Sequence, residues 1–221
     1  MKKSSRYVAA FLFLALFLLA PTIDATAQQK QFYAGVFGGY VVPDDLDVHF
    51  PNPIFSFSFG DLDLDNSWML GAKLGWIPTW TRRFLALEIE YNHLFDQDYS
   101  PQYVVGGLVR EEGKIKLDNF LLDALVRYPK GRFHPYIGVG IGVSLFNISG
   151  TESTPLLGSG GSYDENDTAF AWQLLGGIDI DITKNISGEL SYRYFSTEPR
   201  FRHAEVDYIS SLFTIGINFH F

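Results

Sequence analysis

The sequence predicts an all-β protein, an eight-stranded antiparallel up-and-down transmembrane β-barrel. Three observations carry that expectation. Apolar side chains recur at every second residue through most of the chain, which is strand rather than helix periodicity. Long connections alternate with short ones, as in barrels whose two ends face different compartments. Aromatic residues gather at the ends of the apolar segments, at the level where headgroups would lie.

The first segment is not part of the barrel. Lys2, Lys3 and Arg6 precede an apolar core, "YVAAFLFLALFLLA" (7–20), ended by Pro21. "ATA" (25–27) has the small-x-small form of a cleavage site, with the cut between Ala27 and Gln28. The core is short for a membrane-spanning helix, which needs about 20 apolar residues. Residues 1–27 are therefore read as a cleaved signal peptide and 28–221 as one barrel domain. Cleavage removes three basic residues and one acid, taking the formal charge from −8 to −10. Such a charge argues against a nucleic-acid partner. The chain has no cysteine, which excludes disulfides, thiolate metal sites and thiol nucleophiles.

Eight strands follow, at 31–42, 67–78, 84–95, 114–128, 136–147, 168–180, 186–196 and 207–221. The second sets Trp68, Leu70, Ala72, Leu74 and Trp76 against Gly71, Lys73 and Gly75. The third sets Leu85, Leu87, Ile89, Tyr91 and Phe95 against Glu88, Glu90 and Asn92. The fourth sets Phe120, Leu122, Ala124, Val126 and Tyr128 against Asn119, Asp123 and Arg127. The fifth, "YIGVGIGVSLF" (136–146), sets Ile137, Val139, Ile141, Val143 and Leu145 against Gly138, Gly140, Gly142 and Ser144. The seventh sets Leu190, Tyr192 and Tyr194 against Glu189, Ser191 and Arg193. The last sets Phe213, Ile215, Ile217, Phe219 and Phe221 against Thr214, Gly216, Asn218 and His220.

Which face turns inward follows from size. The interior of an eight-stranded barrel is only just wide enough for side chains to fill. The chain carries 20 Phe, 12 Tyr and 4 Trp, too much bulk for that space. The apolar face is therefore assigned to lipid and the polar face to a filled lumen. Lys73, Glu88, Glu90, Asp123, Arg127, Asp179, Glu189 and Arg193 are expected to point inward and to pair with one another. Gly138, Gly140 and Gly142 are expected to leave room for long charged chains such as Arg127, Arg193 or Lys73. Belts are expected at Trp76, Trp80, Phe84, Tyr128, Phe133, Tyr136, Phe219 and Phe221 on one side. On the other they are expected at Tyr40, Trp68, Tyr91, Phe95, Phe146, Phe170, Trp172 and Tyr194.

The connections sort by charge as well as length. The short ones, 77–83 and 129–135, carry Arg82, Arg83, Lys130 and Arg132. The long ones, 43–66, 96–113 and 148–168, are acidic and read as outward-facing loops. "DLDLDN" (61–66) spaces three carboxylates two apart. It lacks the Gly and Glu that a calcium loop needs at its sixth and twelfth places, where Asn66 and Ala72 stand. It reads as a solvated acidic loop, with a weak surface Ca²⁺ or Mg²⁺ site that bridges lipopolysaccharide phosphates as the alternative; no metal residue and no cofactor is assigned. "FPNPIFSFSFG" (50–60) is too apolar for a free loop, and reads either as an extension of the first hairpin or as a contact surface.

"FYAGVFGGY" (32–40), "HPYIGVGIGVS" (134–144) and "TKNISGELSYRYF" (183–195) resemble the small outer-membrane β-barrel superfamily. That superfamily includes the OmpA membrane domain, OmpX-type barrels and opacity-type surface proteins. The resemblance spans 28–221 and implies residence in a bacterial outer membrane. It implies outer-membrane lipid, lipopolysaccharide and the barrel-assembly machinery as partners. "FTIGINFHF" (213–221) resembles the family's assembly signal, placing Ile217, Phe219 and Phe221 in it. The function expected is structural or surface-interactive, with the long loops meeting an extracellular ligand. A narrow pore or carrier for small solutes is the alternative, and a lipid-modifying enzyme the second.

The enzyme reading meets a specific obstacle. Barrel deacylases pair His with Ser two residues on. Here His49, His93, His134 and His203 are followed at that spacing by Pro51, Phe95, Tyr136 and Glu205. His203 near Asp207 and Ser210 is the remaining candidate for loop chemistry, and no catalytic residue is assigned.

Overall fold

The computed structural model describes residues 30–44, 46–50, 57–62, 65–104, 109–154, 159–198 and 205–221. The leader with Ala27 and Gln28, residue His203, and Asp63 and Leu64 lie outside the described residues.

Among the described residues ten strands form, in chain order. They are β1 (Phe32–Pro43), β2 (Leu46–Phe50), β3 (Phe57–Leu62), β4 (Ser67–Trp76), β5 (Leu85–Val104), β6 (Val109–Arg127), β7 (Phe133–Thr154), β8 (Ser159–Asp181), β9 (Ile186–Thr197) and β10 (Glu205–His220). Eight of them, β1, β4 and β5 to β10, pair antiparallel in sequence order. The ring closes where β1 meets β10, from Tyr33 opposite His220 to Pro43 opposite Ser210. Closure gives each strand of the ring two hydrogen-bonded neighbours, which is what a backbone in hydrocarbon requires.

The outward face is apolar along every strand of the ring. Ile137 is 68% exposed on β7, and Val139, Ile141, Val143 and Leu145 follow it outward. Leu70, Leu74, Ile89, Leu122, Leu174, Ile215 and Ile217 do the same on their strands. In a membrane protein this is the lipid-contacting band.

The outer end corrects the sequence reading. The described parts of the stretches 96–113 and 148–168, residues 96–104, 109–113, 148–154 and 159–168, are not loops but continuations of hairpins. β5 pairs with β6 as far as Val104 opposite Val109, with irregularities beyond Leu94 and Tyr99. β7 pairs with β8 as far as Thr154 opposite Ser159. Crossing the hydrocarbon takes about 9–11 residues of a tilted strand, and β7 and β8 have 22 and 23. Roughly half of each therefore stands above the membrane. A polar, Gly- and Ser-rich segment has no apolar alternation to betray a strand. Its ladder is supplied by the neighbouring strand alone.

The first hairpin extends in the same way. Val41 faces Ser67 in the β1–β4 pair, and Leu46 faces Leu62 in the β2–β3 pair. Leu46 opposite Leu62 continues the register of Val41 opposite Ser67, and the ladder shifts by one residue between Leu46 and Val48. The β2–β3 ribbon is thus the upper part of the first hairpin, and it also pairs with β10 through Asp47 opposite Asp207.

Short connections close the other end. Between β4 and β5, a single 3-10 turn (Thr79–Thr81) leads to Arg82 and Arg83, both in the left-handed region at φ 53° and 65°. Left-handed backbone is disfavoured for residues with a side chain, so this turn is held by its surroundings. Arg83 Nη1 donates to the Lys30 carbonyl at 3.0 Å, tying it to the start of β1.

Candidate functional site in the barrel interior

Inward-facing residues fall into three layers. Nearest the outer end is an apolar cluster of Phe37, Val41, Met69, Leu94, Leu117, Leu121, Phe146, Phe195, Tyr208 and Leu212 with their neighbours. Nearest the short turns is a smaller one of Tyr33, Ile77, Ala86, Leu125, Tyr136 and Leu175. Between them lies a charged layer. The lumen is therefore not polar throughout, as the alternation of charges had suggested. Apolar residues on the inward phase plug it above and below. Two residues assigned to the aromatic belts, Tyr136 and Phe146, belong to these plugs, at 4% and 1% exposure.

All eight charged residues singled out from the sequence are buried in the interior. They come from five strands, so no single element builds the site. Lys73 on β4 donates to Glu189 Oε2 at 2.5 Å and to Glu88 Oε1 at 3.0 Å. Arg193 on β9 grips Glu90 on β5 through Nη1, which reaches both carboxylate oxygens, Oε2 at 2.5 Å. Glu189 Oε1 lies at 4.0 Å from Arg193 Nη2, so Glu90 rather than Glu189 is the main partner of that arginine. Arg127 Nη2 stands 3.7 Å from Asp179 Oδ2. Among the described residues Asp123 has no cation within ion-pair distance and accepts only from Gln173 Nε2, at 2.7 Å.

Neutral groups complete the layer; the sequence reading put Asn92, Asn119 and Asn218 on the polar face but passed over Tyr33 and Gln173 and assigned Tyr136 to a belt. Tyr33 donates its hydroxyl to Glu88, and Tyr136 donates to Glu189 Oε1 at 2.6 Å. Asn218 Nδ2 serves Glu189 and Asp179 at 2.9 and 3.1 Å. Asn92 donates to Glu90 at 2.8 Å and accepts from Asn119 at 2.8 Å. The Arg193 guanidinium also lies 4.5 Å from the Phe37 ring centre, a cation–π contact. The available signal was phase: Tyr33, Tyr136, Asn92, Gln173 and Asn218 all sit on the inward parity of their strands.

The glycines do not make room for arginine or lysine. A Cβ at Gly140 would run into Asp123 Oδ1 and Gln173 Cγ, at Gly138 into Leu125, and at Gly142 into the Phe120 carbonyl. Each accommodates a neighbour on the adjacent strands rather than a chain crossing the lumen. Gly71 and Gly75 likewise hold the rings of Phe37 and Tyr33.

The other candidates are placed as follows. Ile217, Phe219 and Phe221 point outward at the end of β10, with Phe221 stacked on Phe32 at 6.3 Å. His93 Nδ1 lies 2.8 Å from Asp118 Oδ1 on the outer wall. His134 Nε2 lies 3.1 Å from Asp181 Oδ2 and His220 Nε2 2.9 Å from Ser187 Oγ, both at the short-turn end. Above the lipid band, Asp96 pairs with Lys116 at 3.2 Å and Lys114 at 3.6 Å. Burial works to raise the Asp96 carboxyl, but hydrogen bonds and charge from these lysines outweigh it and hold it below the usual range. Where the outer end of β9 meets the middle of β8, Asp167, Phe170, Trp172, Thr197 and Glu198 help line an open cleft of about 490 Å³.

A closed antiparallel ring with a lipid-facing apolar wall and a packed interior defines an outer-membrane β-barrel. The chain belongs to the outer membrane protein beta-barrel domain family, whose model matches residues 10–221. It is a protein of the bacterial outer membrane. No curated protein sequence matches it. Among solved structures it is similar to Neisserial surface protein A, at 16% identity and TM-score 0.51, covering 86% of this chain and 97% of that one. It is also similar to OprG from Pseudomonas aeruginosa, at 13% identity and TM-score 0.51, covering 89% and 99%. At these identities the likeness is one of fold.

Proposed function

We propose that this protein is a sealed outer-membrane scaffold that displays acidic hairpins for contact at the cell surface and performs no chemistry itself. One observation carries the reading. Side chains at every level of the lumen are wholly buried: Ile77 near the short turns, Arg193 in the middle, Leu117, Phe195 and Tyr208 near the outer end, all at 0% exposure. A solute path would leave lumen-facing atoms open to water. The charged layer on this reading is a structural ion-pair network between two apolar plugs.

What remains to act is the rim. Among the described residues the β5–β6 and β7–β8 hairpins rise above the lipid band, carrying Asp98, Glu111, Glu112, Glu152, Asp164, Glu165 and Asp167, and the first hairpin rises beside them. The reading also takes residues 1–27 as a leader removed at Ala27–Gln28. It takes Ile217, Phe219 and Phe221 as the strand end read by the barrel-assembly machinery, and lipopolysaccharide as the lipid beside the outer wall.

Two measurements test it together. Purified barrel in planar lipid bilayers is expected to show no stable conductance steps; regular single-channel steps would favour the pore or carrier instead. Replacing 148–168 by a short turn is expected to abolish adhesion of expressing cells to host-matrix proteins while the barrel still folds. Undiminished adhesion by that variant would remove the hairpins from the function.

A further inference from the structure

The buried charges do not balance. Among the described residues five carboxylates, Glu88, Glu90, Asp123, Asp179 and Glu189, share the interior with three cations, Lys73, Arg127 and Arg193. Geometry assigns the cations. Arg193 belongs to Glu90, Arg127 to Asp179, and Lys73 sits closer to Glu189 than to Glu88. Two carboxylates are left in excess. Glu88 has only a share of Lys73 and the Tyr33 hydroxyl, and Asp123 has only the Gln173 amide.

These two are neighbours. Glu88 and Asp123 face each other across the β5–β6 pair, and with Glu90 they bring one carboxylate oxygen each to within 4.8 Å of one another. Glu88 Oε2 and Asp123 Oδ2 have no hydrogen-bond partner although fully enclosed. A third enclosed oxygen is in the same condition. Gln173, at 0% exposure, gives its Nε2 to Asp123 and leaves its Oε1 unpartnered on the same amide. Three acceptors with no donor, beside two uncompensated charges, form an environment that demands positive charge.

We propose that Glu88, Glu90, Asp123 and Gln173 bind a single divalent cation inside the barrel, and that the cation is calcium. All the donors are hard oxygens, and carboxylates mixed with an amide carbonyl suit calcium, whose ligands sit at about 2.3–2.6 Å in irregular shells. Two such distances span the 4.8 Å limit of the oxygen cluster. Magnesium prefers an octahedron rich in water, which this packed layer does not offer. The charge of one divalent ion equals the excess. With apolar plugs on both sides, the ion enters as the barrel closes and exchanges slowly afterwards.

The test uses the whole barrel refolded from denaturant with calcium or with a chelator, then dialysed free of loose metal. The expected result is about one calcium per chain by elemental analysis after refolding with calcium, and a raised thermal midpoint, since a ligand held only by the folded state stabilises it. Asp123→Asn, which keeps the shape and the Gln173 contact, is expected to fold and to lose both the metal and the midpoint difference. Wild-type barrel that holds no calcium and melts identically in both preparations overturns the proposal, leaving protons to neutralise the pair. So does an Asp123→Asn barrel that retains the metal.

Discussion

The outward and inward faces of the same strands obey different rules. On β7, Ile137, Val139, Ile141, Val143 and Leu145 meet lipid, and any apolar group of similar size serves there. One residue away in each case, Gly138, Gly140, Gly142, Ser144 and Phe146 face a solid interior where each position has particular neighbours. Lipid imposes a composition, whereas the lumen imposes a shape and a set of partners. The difference teaches that specificity in this molecule lies almost wholly inside, although the outer wall supplies most of its apolar surface.

Substitutions that treat the two faces alike should separate them. Removing the most deeply committed interior charge has the largest expected effect. Arg193→Ala takes from the buried Glu90 its arginine partner and is expected to destabilise the barrel by about 3–5 kcal/mol, the usual penalty for breaking a buried pair from one side. Urea unfolding in lipid vesicles measures it, and an unshifted midpoint would show that the network contributes little. Gly140→Leu comes next. Its side chain must displace Asp123 and Gln173, and overpacking of this kind costs about 1–3 kcal/mol. A lower folded fraction on unheated gels is the expected readout; wild-type yield would mean that the interior gives way there. Ile141→Leu places the same side chain one residue further on, against lipid. It is expected to change stability by no more than about 0.5 kcal/mol, and a loss comparable to that at Gly140 would break the distinction between the faces.

The lipid face was legible because its rule is simple. A period of two with branched and aromatic residues, bounded by short turns, sufficed to place eight strands, and the eight charges on their polar faces are buried. The interior was half legible. Charges announce themselves on a polar face, but Met69 and Leu121 are apolar residues between apolar residues, and Phe37, Leu94 and Phe195 each have one apolar neighbour in sequence, so alternation cannot tell a plug from a wall. Pairing was not legible, since Arg193 meets Glu90 across the ring through strand order and tilt. The outer halves of β7 and β8 were hidden for a different reason. Their sequence, "TEST" (151–154) and "SGGSYDENDT" (159–168), is polar at nearly every position, so it has the composition of a loop while its backbone pairs as a hairpin.

The seam between β1 and β10 makes the ring a question of timing. The Phe221 amide donates to the Phe32 carbonyl at 2.8 Å, and Phe32 returns the bond at 3.3 Å. The strand that leaves the ribosome first thus waits for the strand that leaves it last. Until β10 is released, β1 and β9 each carry a bare edge that hydrocarbon will not accept. Interrupted synthesis before β10 therefore yields no smaller barrel, only a chain that cannot enter the membrane. The position of the seam makes insertion a test of whether translation reached β10.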